Sequence, residues 1–480
     1  MNSRSNLSAR VLAGIVSGIT SLTIICAAQT AGTSPPAQSA TAAAPANPGL
    51  SPSPSPSPSP TPSAVSQSAN AGGGPGSANS PNAGNAQTGA NGLASHAQHF
   101  TRNAPFRDNW TTINLDTKYA KAVIGGLKQG AFIGVGLQFT TADVLRIVEF
   151  RATAITSPNL YRRFEGEAYI PKIFGSKTHA DIWFDYLRRT RDDFFGIGPD
   201  TPKTSKTDFG TEHRSYNASL FHDFARGLQA GAYASLTNSS TYPGDNSRDI
   251  PSNLVFSGSP EVVPITLFAP GLLENTKILS FGGFGVLDRR DNSAGLTKGA
   301  YLYGRVGSSE GLKDGPAFSN YGWLEAEMDA RGYVPLGSNK TSLAVRGYAD
   351  LDHPRGGSQI PFYDMPYLGG RSELRGFENY RFRGDNLVLF SVELRQTVWT
   401  QREDRGLDLV AFGDAGQVWG DNRSLVDPAI VINQNFSSRN WKAGIGGGIQ
   451  YRFSSSIAGR VELGHSNERN IVYFSLTRGF

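Results

Sequence analysis

The residues best placed to do chemistry lie in the C-terminal third, where one arginine precedes two acids on successive segments. Residues 368–377 read LGGRSELRGF, ending in Leu374, Arg375, Gly376 and Phe377. Glu393 follows in an alternating segment, and Asp414 lies within Phe412-Gly413-Asp414-Ala415-Gly416. If these two segments are adjacent antiparallel strands with a turn near 403–404, Glu393 stands opposite Asp414 on one face. Paired carboxylates repel unless one is protonated or a cation lies between them. The planar fork of Arg375 can serve their oxygens bidentately. Gly376 permits a tight turn beside it, and Phe377 can pack against a wall. That chemistry is electrostatic fastening rather than catalysis. The competing reading leaves Arg375 solvated in an external loop and the acids lining a wet lumen.

Such a fastening needs strands to hold it, and the sequence supplies them. Ala180, Ile182, Phe184 and Tyr186 alternate with Asp181, Trp183 and Asp185; Leu324, Ala326 and Met328 alternate with Glu325, Glu327 and Asp329. Leu343 and Val345 alternate with Arg346 and Tyr348, and Val388, Phe390, Val392 and Leu394 with Ser391, Glu393 and Arg395. One face is apolar and the other charged, over segments of about 9–11 residues, the length that spans a bilayer when tilted. The expected fold is all-β: a transmembrane antiparallel β-barrel of about 16 strands, preceded by a disordered linker. A segment over 254–268, with Pro260 and Pro264, is the weakest of these strands, and without it fourteen remain as an even count. Short connections at 335–339 and 400–405 alternate with long ones at 307–320, 353–385 and 421–440, as the two rims of such a barrel require.

The start of the chain divides by composition. Residues 1–28 read as a signal peptide, with Arg4 and Arg10, an apolar run from Val11 to Ile25, and Cys26-Ala27-Ala28 as a small-residue cleavage site. Cys26 is the single cysteine of the 480 residues, so cleavage leaves no thiol for a disulfide or metal. Residues 29–105 form an Ala/Ser/Pro/Gly-rich linker that cannot bury enough apolar surface to fold. Residues 106–130 read as a lead-in and 131–480 as the barrel. Net charge is +5, with acids and bases interspersed and no basic run. No aromatic and basic platform for nucleic acid is present.

On Leu374–Phe377, the Phe412 to Gly416 segment and the aromatic last strand, the sequence resembles the BamA/TamA-type outer-membrane assembly and translocation barrels, or bacterial surface antigens. Residues 287–291 and 297–299 resemble a hairpin of the same family. The resemblance covers roughly 131–480 and implies an outer-membrane location in a Gram-negative cell and insertion or translocation of proteins or other molecules. The alternative is a passive pore or structural barrel. It implies outer-membrane lipid and lipopolysaccharide, client outer-membrane proteins and the barrel-assembly machinery as partners. It also implies Phe474, Leu476 and Phe480 as the C-terminal insertion signal, and a seam between 131–141 and 471–480. The chain departs from the family in having only the linker where polypeptide-transport-associated domains are usual.

Enzyme readings fall away. Gly307-Ser308-Ser309-Glu310-Gly311 matches G-x-S-x-G, but no helical periodicity follows it. The histidines lack ligand spacing, and no metal or cofactor is expected.

Overall fold

The computed structural model describes residues 110–114, 120–125, 135–140 and 148–475, except 159, 174–175, 246–248, 257–268, 292–297, 313–320, 338–339, 403–404, 421–434 and 454–457. The signal and linker segments, Leu476 and Phe480 lie outside these residues.

Strands follow one another almost without interruption: β1 (Trp110–Asn114), β2 (Ala120–Gly125), β3 (Val135–Thr140), β4 (Glu149–Thr156), β5 (Arg162–Ile170), β6 (Thr178–Phe194), β7 (Thr207–Ala225), β8 (Leu228–Pro243) and β9 (Ile250–Pro251). Then come β10 (Asn275–Asp288), β11 (Gly299–Gly311), β12 (Gly322–Pro335), β13 (Thr341–Pro354), β14 (Tyr367–Leu368) and β15 (Phe382–Arg383). The last five are β16 (Asn386–Arg402), β17 (Arg405–Trp419), β18 (Lys442–Arg452), β19 (Ala458–His465) and β20 (Asn470–Ser475). Each long strand pairs antiparallel with the next, while β14 and β15 form a separate small hairpin. Leaving aside β1 and the two-residue β9, β14 and β15, sixteen strands remain among the described residues. The fold is the antiparallel barrel that the alternation implies.

Membership of the wall differs from the sequence expectation in two places. β8 pairs directly with β10 from Leu228↔Leu287 to Asn275↔Ser240, and of the strand expected over 254–268 only 254–256 are described, the remaining residues lying outside the described ones. Leu254 ends a 3-10 turn, and Phe256 is buried against Phe194. Conversely, β1 and β2 arise from the stretch read as a lead-in, and β2 pairs with β3. This displaces the expected seam. Residues 135–140 have β2 on one edge and β4 on the other, so no edge is left for 471–480.

The alternating side chains sort by face as a lipid-embedded barrel requires, inverted relative to a soluble sandwich. Leu324, Met328, Phe390, Val392 and Leu394 are exposed on the outer face. Their neighbours Glu325, Glu327, Asp329, Ser391, Glu393 and Arg395 are buried inside. Gly307–Gly311 lies within β11, paired with β10 and β12, and the Ser309 hydroxyl hydrogen-bonds to that of Ser280 at 2.7 Å. That is a ladder position, not a nucleophile elbow.

Candidate functional site

The connection between β13 and β16 folds into the lumen on an apolar shelf. Leu368, Leu374, Phe377 and Phe382 from the loop pack with Tyr348, Leu387, Leu389 and Val418 from the wall. Burying one such side chain contributes about 1.5–3 kcal/mol, so the shelf alone favours an inserted loop. The β14–β15 hairpin and a Gly370↔Leu374 bridge shape its turn. Gly376 has φ +98°, which an L side chain resists, and a Cβ there would lie 2.8 Å from the His465 carbonyl. The wall is thinned to receive it: a Cβ on Gly444 would lie 1.8 Å from the Arg375 carbonyl oxygen. A Cβ on Gly416 would lie 2.7 Å from the Val388 carbonyl oxygen and 3.1 Å from the Leu368 side chain.

Arg375 sits at the bottom of this loop, 4% exposed. Its Nε and one terminal nitrogen donate to the two oxygens of Asp414, both at 2.8 Å. The other terminal nitrogen donates to Glu393 at 3.0 Å and to Glu462 at 2.8 Å. The backbone N–H of Arg375 adds a bond to Asp414 at 3.1 Å. The guanidinium lies 3.5 Å from the centre of the Phe412 ring, giving the planar cation a stacking surface. Burial works against the charge, but the hydrogen bonds and field of Asp414, with Glu393 and Glu462, hold the guanidinium above its ordinary pKa.

Register inside the wall differs from the expected one. Glu393 pairs with Phe412, and Asp414 with Ser391. The cause is two irregularities in β16, between Thr397 and Trp399 and between Thr400 and Arg402, which shift the ladder by two residues. Because the shift is even, both acids stay on the lumen face. Their diagonal placement leaves room for Phe412 between them, under the guanidinium.

Four further residues complete the site beyond those the sequence singled out. Glu462 shares Arg375 with Glu393, and Arg460 donates to both acids. Arg395 donates to Glu393. Tyr473 accepts from the Gly376 N–H at 2.9 Å and donates to the Phe377 carbonyl at 3.0 Å. All four occupy lumen-facing positions of alternating strands, so the period-two pattern was the available signal. Which loop they would meet was not.

A few residues further along the loop, Arg381 donates to Glu468 and to the Thr201 carbonyl, and Glu378 bridges Lys206 and Arg469. Burial opposes it, yet Lys206 and Arg469 hold the Glu378 carboxyl below the usual carboxylate range. These pairs tie the loop to the β6–β7 connection and to the β19–β20 turn together. Phe474, in β20, is exposed on the outer face.

Comparison with known proteins agrees with this architecture. Residues 271–458 match the Omp85 superfamily domain. BamA from Haemophilus ducreyi lacking POTRA domains 1–3 shares the fold, with TM-score 0.53 at 12% identity over 82% of this chain and 77% of that one. CdiB from Escherichia coli gives TM-score 0.49 at 13% identity over 76% and 66%. No curated protein matches the chain.

Proposed function

From the Omp85 superfamily domain at residues 271–458 of an outer-membrane β-barrel, we propose that this chain acts in the insertion or translocation of proteins or other molecules, with Arg375 holding its closed state. The role is mechanical rather than catalytic. The supporting observation is the bidentate Arg375–Asp414 contact joined by Glu393 and Glu462, which fixes a loop inside the conduit. A loop held by charge and a shallow apolar shelf can be released without unfolding the wall, because no wall ladder passes through it. Client outer-membrane proteins, lipid and the assembly machinery that inserts the barrel are the partners this reading assigns.

The purified full-length protein in liposomes supplies the test. Addition of an unfolded outer-membrane barrel client should give protease-protected, folded client above empty liposomes. A protein that conducts ions but leaves client insertion at the empty-liposome level would instead be a passive pore.

A further inference from the structure

On the outer face, β5 to β8 carry a graded set of cross-strand rows at the rim with the long connections. The first row reads Arg162↔Arg188↔Glu212↔Ser240, and the next Phe164↔Tyr186↔Arg214↔Asn238. Below them come Gly166↔Phe184↔Tyr216↔Leu236 and then Ala168↔Ile182↔Ala218↔Ala234. Charge therefore gives way to aromatic and then to small aliphatic side chains along one continuous surface.

The top of this surface holds an unbalanced charge. Arg162 and Arg188 are directly opposed, on strands about 4.8 Å apart, where like charges destabilise a sheet. Glu212 is the one acid in the two rows, and it pairs with Arg214. Arg188 leans on Tyr242, 3.3 Å from its hydroxyl and 5.6 Å from its ring centre. Arg162 is exposed and has no carboxylate partner among the described residues. Beneath the arginines, Phe164 and Phe184 lie 6.5 Å apart and Phe184 and Tyr216 5.2 Å apart. A Cβ at Gly166 would meet nothing within 4 Å, so the surface is open there.

We propose that Arg162, Arg188 and Arg214 bind the phosphate of an outer-leaflet lipid headgroup, whose acyl chains lie over Gly166 and its aromatic neighbours. An anionic oxygen cluster between Arg162 and Arg188 relieves their repulsion, and guanidinium forks match phosphate geometry. The placement favours a lipid over a soluble anion, because the apolar rows begin directly below the charged ones. The site is separate from the lumen and from the loop that Arg375 holds.

The test uses full-length protein in non-ionic detergent micelles, with bound lipid counted by native mass spectrometry. Diphosphorylated lipid A is titrated against its dephosphorylated form, with inorganic phosphate as competitor. The parent should retain the phosphorylated lipid at least about tenfold more tightly than the dephosphorylated one. Arg162→Gln with Arg188→Gln should weaken retention by about tenfold to a hundredfold while heat-modifiable mobility still reports a folded barrel. If that pair does not fold, Arg162→Gln alone should give about a tenfold loss. Equal retention of both lipids, parent-like retention by the variants, or displacement by stoichiometric inorganic phosphate overturns the proposal.

Discussion

Arg163 and Arg375 are both buried arginines held by carboxylates inside one barrel, yet they join different things. Arg163, on β5, donates to Glu165 on its own strand and to Asp185 on β6, so it ties wall to neighbouring wall. Arg375 ties the wall strands β16, β17 and β19 to a loop that no wall ladder restrains. The same ion-pair chemistry therefore joins strand to strand in one place and loop to wall in the other. A buried pair is weak evidence for net stability, since desolvation offsets much of its Coulomb attraction. Its clearer effect is on which arrangement the molecule adopts, and the two arginines allow that to be separated from stability.

The largest effect is expected from Arg375→Ala, which strands Asp414 and leaves Glu393 and Glu462 with fewer cations. The local loss should be about 3–5 kcal/mol, read as an inserted loop that becomes protease-accessible while the barrel keeps its heat-modifiable gel shift. Arg163→Ala should show the converse, lowering the temperature of the gel shift while leaving loop protection as in the parent. If both substitutions act alike, the distinction between wall and fastening is wrong. Gly444→Ala comes next, because its Cβ would meet the Arg375 carbonyl at 1.8 Å without removing any charge. It should expose the loop to protease nearly as much as Arg375→Ala; an unchanged digest would show that the loop is not seated against β18.

Smaller effects sharpen the same comparison. Glu462→Gln should weaken loop protection by about 1 kcal/mol, since Arg375 retains Asp414 and Glu393. Three residues beyond Arg375, Glu378 has a depressed folded pKa, so its contribution is complete above the ordinary carboxylate range. It is lost as pH falls through the folded value. Loop protection in the parent and in Glu378→Gln should differ by a constant amount at neutral pH and converge below about pH 4. A difference that grows on acidification would contradict this assignment.

Much of the barrel was legible because its signal is local. Side chains at positions such as Leu324 to Asp329 declare their face by period two, and each strand repeats the statement independently. The N-terminal strands were harder. Trp110–Asn114 and Ala120–Gly125 are five and six residues long, too short for alternation to stand out. At the site, Arg375, Glu393 and Asp414 were found from residue type and strand order. Their register was not, because irregularities near Thr397 and Thr400 are set by backbone geometry that residue spacing does not encode. Glu462 and Tyr473 lay further off still, since only the loop's descent brings β19 and β20 to Arg375.

The central claim is that Arg375 and Asp414 act as one unit in keeping the loop inside. Planar-bilayer conductance of the parent, Arg375→Ala, Asp414→Asn and the double variant tests it most directly. Each single substitution should raise the open fraction strongly, and the double should open no more than Arg375→Ala alone. Parent-like conductance in Arg375→Ala, or strictly additive effects in the double, would contradict it.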